Sequence, residues 1–248
     1  MGESISAEYM NTIVKADCMD VLRNLPDNSV DAIITDPPYC SGGRGISDRQ
    51  KTTQKKYADG RKTRPDFFGD SKDVRSWSHW CITWISEGYR ALKQGGYFLM
   101  FSDWRQLPTA TDVMQIGGIS WKGLVVWNKG LGSRAPHKGY FRHQCEYILC
   151  GPKGACINKN NKILPGCYEY HIRQSDKFHI AGKPTPLMED LVEIVPSRSI
   201  ILDPFAGSGT TCIAAMNKGR NFIGVEFQQE YYDIACKRIK DARAAKKA

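Results

Sequence analysis

Hydrophobic and polar positions change their period along the chain in a way that predicts alternating strands and helices. Short β-branched runs such as Val30–Thr35 and Ser199–Leu202 predict buried parallel strands. Longer segments with apolar residues every three or four positions, such as Val74–Leu92 and Gln229–Ala244, predict amphipathic helices. Because strands alternate with helices, we predict an α/β fold, a mostly parallel sheet with helices on both faces, built as one domain over residues 1–248.

The same pattern places the remaining elements. Further predicted strands cover residues 13–16, 97–101, 124–127, 146–149 and 221–225, and further predicted helices cover 107–114, 186–195 and 207–216. Residues 19–25 are predicted to form a short helix or a turn. Gly95 and Gly96 are expected to end the helix that begins at Val74. The helical spacing of Trp77, Trp80 and Trp84 favours packing in the core over an exposed platform for stacking bases.

Two segments show neither the hydrophobic pattern of a strand nor that of a helix. Residues 42–75 contain a strongly basic run, in which eight lysines and arginines stand against three aspartates between positions 42 and 66. We predict a mobile loop that becomes ordered when it binds a partner. Residues 151–178 are polar and irregular, and we predict a small insertion built from loops.

Charge and cysteine content narrow the class of partner. A net charge of +9 and a pI near 9.1 favour a polyanionic partner, although an unspecific basic surface would give the same numbers. The sequence has nine cysteines but no C-x-x-C pair, and we find no export signal in it. This combination indicates free thiols in a reducing compartment. We therefore expect no metal site, no membrane span and a cytoplasmic location.

A glycine-containing turn near the C-terminus predicts a cofactor site. The strand at 199–202 leads into Asp203-Pro204-Phe205-Ala206-Gly207-Ser208-Gly209-Thr210-Thr211 and then a helix. Glycine lets the backbone turn sharply and lets a ligand approach closely. The next strand ends at Glu226, 17 positions after Gly209, where an acid can accept hydrogen bonds from ribose hydroxyls. Since there is no third glycine and no phosphate-loop lysine, S-adenosylmethionine fits this turn better than a dinucleotide.

The position of this turn in the chain predicts a permuted topology. Only about one helix follows Glu226, so a third strand on that side of the sheet must come from elsewhere. The strand Ile13–Ala16, ending at Asp17, is the natural candidate. Asp17 would then face the adenine amine of the cofactor.

A second motif predicts the chemistry. Asp36-Pro37-Pro38-Tyr39 follows a buried strand, at the edge of the sheet where ligands bind in α/β folds. The Asp36 carboxylate and the Pro37 carbonyl can accept N–H bonds from an exocyclic base amine, which exposes its lone pair. Tyr39 offers a face for an extruded base. The alternative is a proline-stiffened turn with a local aspartate cap, and Cys40 is interpreted as a lining residue.

The order of these motifs resembles the exocyclic-amine DNA methyltransferases of the permuted β group. That family carries a D-P-P-Y-like motif near the N-terminus and F-x-G-x-G near the C-terminus. The resemblance extends to Asp17-Cys18, Trp127-Asn128-Lys129, the run His143 to Leu149, His179 and Lys183-Pro184. It implies a Rossmann-like sheet in permuted order, S-adenosylmethionine as cofactor and double-stranded DNA as partner. It also implies that residues 151–178 form a short target-recognition insertion.

The resemblance assigns roles to residues. The implied catalytic residues are Asp36, Pro37, Pro38 and Tyr39. The implied cofactor-binding residues are Asp17, Cys18, Lys183, Asp203, Phe205, Ala206, Gly207, Ser208, Gly209, Thr210 and Glu226. From its charge and its position after Tyr39, the basic loop is expected to clamp DNA through Arg44, Arg49, Lys55, Lys56, Arg61, Lys62 and Arg64.

The family pattern favours methylation of adenine N6, because D-P-P-Y usually accompanies that reaction. The alternatives are a cytosine-N4 DNA methyltransferase, an RNA base methyltransferase and a catalytically inactive DNA-binding homologue. We expect a prokaryotic protein, or one encoded by a phage or other mobile element, in a restriction-modification context. A homodimer is left open.

Overall fold

The computed structural model describes residues 4–40, 72–131, 137–156, 162–171 and 182–246. The basic residues predicted to contact DNA between positions 44 and 64 lie outside these ranges, as does His179. The fold and the site below are those of the described residues.

The described residues form alternating helices and strands. The helices are α1 (Cys18–Asn24), α2 (Val74–Ala91), α3 (Leu107–Ile116), α4 (Thr185–Leu191), α5 (Thr210–Asn217) and α6 (Gln229–Ala245), with a short 3-10 helix at Val192–Ile194. The strands are β1 (Thr12–Lys15), β2 (Val30–Thr35), β3 (Leu92–Ser102), β4 (Gly123–Asn128), β5 (Cys145–Pro152), β6 (Cys167–Glu169), β7 (Ile200–Asp203) and β8 (Asn221–Glu226).

All eight strands belong to one sheet with the order β1-β8-β7-β2-β3-β5-β4-β6. The first five strands in this order are parallel, whereas β5 runs antiparallel to both of its neighbours. β1 pairs with β8 in parallel, with Ile13 opposite Gly224 and Lys15 opposite Glu226. The mostly parallel sheet and the permuted origin of its N-terminal strand are therefore confirmed.

Helices cover both faces of the sheet, as the alternating pattern predicts. One core lies beneath α1, α2 and α3 and contains the buried side chains of Trp77, Trp84 and Phe98. The other lies beneath α4, α5 and α6 and contains Leu187 and Ile213. Trp77 and Trp84 are thus core residues, as their spacing predicts.

Two predicted helix boundaries are wrong. The helix from Val74 ends at Ala91, and β3 starts at Leu92, because Leu92 already pairs with Val30 of β2. Gly95 and Gly96 lie inside this strand, where their backbone groups bond to Lys153. The helix expected from Gly207 begins only at Thr210, because the two glycines before it take left-handed conformations.

Part of the irregular segment 151–178 belongs to the sheet. β5 continues to Pro152, and Cys167–Glu169 form β6, which pairs in parallel with β4. A three-residue strand is too short to show the alternating pattern of a longer one. Within the described ranges, none of the helices combines the length and apolar character that crossing a membrane requires.

The packing of β5 predicts a contrast between two neighbouring strand glycines. A Cβ at Gly151 would lie 2.1 Å from the carbonyl oxygen of Ser120, whereas a Cβ at Gly123 would meet nothing within 4 Å. We expect Gly151→Ala to lower the free energy of unfolding by about 1–3 kcal/mol or more, since backbone must move. Gly123→Ala should be neutral or slightly stabilising. Urea unfolding followed by circular dichroism measures both, and equal stabilities of the two variants would contradict this packing.

Candidate active site

Three carboxylates lie along one edge of the sheet, beyond the carboxyl ends of β2, β7 and β8. These strands are parallel neighbours, with Ile33 opposite Leu202 and Asp203 opposite Gly224. Asp36 follows β2, Asp203 ends β7 and Glu226 ends β8. This is the edge at which open α/β sheets bind ligands, and it contains both motifs found in the sequence.

The glycine turn after β7 is held against Glu226. Gly207 and Gly209 have φ values of 52° and 80°, a left-handed conformation that favours glycine. The backbone N–H of Gly207 donates to Glu226 Oε2 over 2.9 Å, and that of Gln228 donates to Oε1 over 2.7 Å. Burial raises the pKa of Glu226 to about 7. The turn thus presents backbone without side chains beside a carboxylate that changes charge near neutral pH.

These groups fit a nucleoside. The absence of Cβ atoms at Gly207 and Gly209 permits close approach to the backbone, and the Glu226 carboxylate can accept hydrogen bonds from sugar hydroxyls. Phe227, which follows Glu226, is 54% exposed and offers an aromatic ring at the same edge. Sequence reasoning missed Phe227, although its place directly after the terminal acid of β8 was a usable signal.

Asp203 faces into the protein. Its side chain is 3% exposed, and its Oδ1 accepts the hydroxyl of Thr35 at 2.7 Å and the backbone N–H of Phe205 at 3.1 Å. Burial raises the pKa of Asp203 to about 6, against hydrogen bonds from Thr211 and Thr35 that lower it. The geometry gives Asp203 the task of tying the turn to β2.

Other residues predicted at the cofactor site also point inward. Arg238 of α6 donates from Nη1 to the carbonyl and hydroxyl oxygens of Ser208, at 2.5 and 3.0 Å, and to the hydroxyl of Thr210 at 3.2 Å. Ala206 is buried, and its N–H donates to the carbonyl of Val225. These contacts shape the turn from behind.

Phe205, Asp17 and Cys18, which are also predicted at the cofactor site, have contacts within the protein. The Phe205 ring lies 5.2 Å from that of Trp80 and 5.1 Å from that of Trp84, measured between ring centroids. Asp17 caps α1 by accepting the Met19 N–H at 2.8 Å. Cys18 is buried, and burial raises the pKa of its thiol to about 12, so it stays neutral.

Both oxygens of Asp36 have donors. Tyr39 donates its hydroxyl to Oδ1 over 2.5 Å, and Lys183 donates from Nζ to Oδ2 over 2.5 Å. Burial raises the pKa of Asp36 and outweighs the opposing charge of Lys183. Burial, together with the charge of Asp36, also raises the pKa of Tyr39 well above its usual range. The four residues of the D-P-P-Y motif and Lys183 therefore form one cluster.

Two side chains from the core fix the backbone of this motif. The indole N–H of Trp77 donates to the carbonyl of Pro38 over 2.7 Å, and the Gln106 amide donates to the carbonyl of Tyr39 over 2.8 Å. Cys40, which follows, is buried with a φ of 55°. A non-glycine residue in that region costs roughly 1–3 kcal/mol, and such strain persists only where the surroundings enforce it.

Lys183 also contacts a second carboxylate that the sequence interpretation did not place in the site. Lys183 Nζ lies 3.3 Å from Glu146 Oε2, and Lys129 Nζ lies 3.0 Å from Glu146 Oε1. Burial would lower the pKa of Lys183, but Asp36 and Glu146 together raise it. Burial would likewise raise the pKa of Glu146, but Lys183 and Lys129 lower it. A glutamate inside an otherwise apolar strand was the signal that could have identified Glu146.

Comparison with known proteins identifies the family. Residues 30–237 match the family described as DNA methylase, N6_N4_Mtase. The chain belongs to this family. YubD of Escherichia coli (strain K12), whose name describes it as a methylase, is 32% identical, over 93% of this chain and 90% of YubD. The type II methyltransferase M.HinfI of Haemophilus influenzae is 27% identical, over 98% of this chain and 72% of M.HinfI.

Solved structures of methyltransferases have the same fold. M1.HpyAVI in its complex with S-adenosylmethionine matches with a TM-score of 0.66 and 26% identity, over 92% of this chain and 98% of that protein. The cytosine-N4-specific PvuII DNA methyltransferase matches with a TM-score of 0.68 and 16% identity, over 94% of this chain and 90% of that protein. This member of the N6/N4 DNA methylase family is an S-adenosylmethionine-dependent DNA methyltransferase.

The raised pKa of Asp203 predicts how stability depends on pH. The pKa is about 6 in the folded protein and 3.8 for a free side chain, so the folded state prefers the protonated acid. The contribution of Asp203 to stability is therefore lost as the pH rises from about 4 to 6. Asp203→Asn, which keeps the acceptor for Thr35, should gain up to roughly 3 kcal/mol relative to wild type over that interval.

Denaturant unfolding at a series of pH values measures this difference. The matched control is Asp112→Asn on the exposed side of α3, which makes the same substitution outside the core. A constant difference between Asp203→Asn and wild type would contradict the raised pKa of this buried carboxylate.

Proposed function

We propose that the protein methylates N6 of adenine in a specific duplex sequence, after the target base has left the helix. The observation that carries this proposal is the position of Asp36, at the carboxyl end of β2 and on the same edge as the glycine turn and Glu226. The identity of the base is supported by the D-P-P-Y motif, which is the pattern that usually accompanies adenine in this family.

The residues of this chain activate the amine by accepting its hydrogens. The lone pair of an exocyclic amine is delocalised into the ring, which makes the nitrogen a poor nucleophile. The Asp36 carboxylate and the Pro37 carbonyl accept hydrogen bonds from its two N–H groups, which exposes the lone pair. Pro37 and Pro38 hold that carbonyl in place because the φ angles of proline are fixed. Tyr39 supplies a face for the extruded base. Bound S-adenosylmethionine supplies the methyl group as an electrophilic carbon.

The glycine turn and its surroundings hold that cofactor. Glu226 would accept hydrogen bonds from the ribose hydroxyls, Gly207 and Gly209 would let the nucleoside approach the backbone, and Phe205 and Asp17 would flank it. Asp203, Ser208 and Thr210 act from behind by holding the turn in shape, as their bonds to Thr35, Phe205 and Arg238 support.

Lys183 occupies the place of the target amine. Its ammonium group and the base amine are both N–H donors, so each satisfies the Asp36 carboxylate in turn. A buried ammonium without an anion would be costly, and Glu146, 3.3 Å away, gives Lys183 a second partner. Lys129 balances the second carboxylate. We therefore assign the exchange of Lys183 between Asp36 and Glu146 to the step in which the base enters.

Asp36 also receives a proton. A nitrogen that gains a methyl group must lose one hydrogen to become neutral, and the Asp36 carboxylate is bonded to that nitrogen in this proposal. The raised pKa of Asp36 favours accepting the proton. Tyr39 and Lys183, the present donors to Asp36, remain protonated because their pKa values are raised.

DNA is held by positive charge and read by loops in this proposal. The basic run between Arg44 and Arg64 contacts phosphates, which its eight cations support, and the part of 151–178 that lies outside β5 and β6 reads sequence. Both assignments rest on composition and on position in the chain.

Substitution of Asp36 separates cofactor binding from methyl transfer. Asp36→Ala should retain affinity for S-adenosylmethionine within a few fold and lose about a hundredfold or more in kcat, because the group that activates the amine and receives its proton is removed. Calorimetry measures the affinity for S-adenosylmethionine, and transfer of a labelled methyl group to DNA measures kcat. Asp20→Ala, on the exposed face of α1, is the control. Near-native turnover of Asp36→Ala would refute the assigned role.

Modified-base sequencing of DNA from cells that express the chain tests the base and the site together. N6-methyladenine at one recurrent sequence is the expected result. N4-methylcytosine would overturn adenine while leaving DNA methylation intact, and modified RNA with unmodified DNA would overturn the substrate. No modification of either polymer would favour a DNA-binding homologue without activity.

A further inference from the structure

A group of aromatic side chains projects from the edge of the sheet beside Asp36, and none of them has been assigned a role above. Trp104 and His143 stack with ring centroids 5.0 Å apart. Tyr140 meets His143 edge-on at 6.3 Å and Phe141 at 6.0 Å. We call these four residues the aromatic rim.

Three of the four side chains of the aromatic rim are largely exposed to solvent. Trp104 is 45% exposed, Tyr140 60% and Phe141 85%. Contiguous exposed apolar side chains of this size usually mark a binding surface. Trp121, another exposed tryptophan at 43%, lies just before the first residue of β4 and therefore at the opposite edge of the sheet.

The aromatic rim is next to the cluster formed by the D-P-P-Y motif and Lys183. Trp104 lies two residues after the end of β3, and Gln106, two residues further on, donates to the carbonyl of Tyr39 over 2.8 Å. On the other segment, His143 lies three residues before Glu146, a distance of at most about 11 Å along an extended chain. Since Glu146 is 3.3 Å from Lys183, a duplex placed over Asp36 meets the rim near the target base pair.

The charges around the aromatic rim suit nucleic acid. The Arg105 guanidinium lies 4.7 Å from the centroid of the Trp104 ring and is anchored by Asp103 at 3.4 Å. Lys138 and Arg142 flank Tyr140 and Phe141 in the sequence. Cations that contact phosphates, interleaved with rings that stack on bases, are the composition of surfaces that bind unpaired or distorted nucleic acid.

We infer that the aromatic rim contacts duplex DNA at the target site, and that Tyr140 and Phe141 stack on the bases that lose a neighbour when the target base leaves the helix. This inference rests on the proposed function, which requires that base to be extruded. Extrusion costs the stacking and pairing of the target base. Stacking of an aromatic side chain on a base strengthens binding about tenfold to a hundredfold, enough to offset much of that cost.

A second copy of the chain is the competing occupant of this surface. Two-fold contact through the aromatic rim would bring Arg105, Lys138 and Arg142 of one copy towards the same charges of the other. Like charges brought together at an interface disfavour association. DNA has the complementary charge, and the duplex must lie at this edge for Asp36 to reach a base.

The test compares Tyr140→Ala/Phe141→Ala with the aromatic control Trp121→Ala. The first probe is a duplex with 2-aminopurine, a base that fluoresces when unstacked, at the position identified by modified-base sequencing. The second is a fluorescein-labelled duplex of mixed sequence, for binding by anisotropy. Wild type and Trp121→Ala should raise the 2-aminopurine signal on binding, and the double variant should lose most of that rise.

In the same double variant, kcat/KM on duplex DNA should fall about tenfold to a hundredfold, which corresponds to the stacking of one or two bases. Affinity for S-adenosylmethionine should be unchanged, which shows that the site is still folded. An undiminished 2-aminopurine signal in the double variant, or an equal loss in Trp121→Ala, would overturn the inference.

Two further outcomes separate this inference from the proposed function. If wild type transfers no methyl group to DNA, the proposed function fails, and the labelled duplex still decides the surface: equal affinity of wild type and double variant overturns the inference. If the double variant changes the sedimentation of the protein from dimer to monomer and binds DNA as wild type does, the rim is a self-association surface and the inference is also overturned.

Discussion

The pairing of Asp36 with Lys183 is the interaction on which the site depends. A carboxylate and an ammonium group meet at 2.5 Å in a place where Lys183 is only 7% exposed, and Lys183 needs an anion because water cannot solvate its charge there. Lys183 has a second anion in Glu146, and Glu146 has a second cation in Lys129. The alternation of charge lets one contact break without leaving a buried charge unpaired, which a two-residue ion pair would not permit.

The sheet determines why these groups meet. Asp36 comes from β2, Glu146 from β5 and Lys183 from the segment before α4, and the strand order places β3 alone between β2 and β5. On the other side of β2, the strands β7 and β8 bring the glycine turn and Glu226 to the same edge. The proposed methyl donor and the proposed amine site are therefore neighbours because β2 and β7 are neighbours. The permutation leaves this arrangement unchanged, since β1 pairs with β8 wherever the chain begins.

Sequence patterns predicted the parts of the fold that depend on local periodicity. The strands at the edge of the site and the helices that cover them have the 2.0 and 3.6 repeats that patterning detects. The sequence pattern did not predict that Gly95 and Gly96 lie within a strand. The pairing of Leu92 with Val30 starts the strand before these glycines. The sequence pattern also did not predict that the side chains of Asp203 and Thr210 point into the protein. Their hydrogen-bond partners, Thr35 and Arg238, are distant in sequence. Glu146, Trp77 and Gln106 come from three other parts of the chain and support the D-P-P-Y motif and Lys183, and only the tertiary structure shows these contacts.

A crystal structure of the protein with its target duplex and a non-reactive analogue of S-adenosylmethionine would show directly whether the base replaces Lys183 at Asp36. We expect the exocyclic nitrogen of the extruded base at hydrogen-bonding distance, about 3 Å, from Asp36 and from the Pro37 carbonyl. Lys183 should then have left Asp36 and should be bonded to Glu146. A base amine bound away from Asp36, with Lys183 still paired to that carboxylate, would refute the proposed exchange.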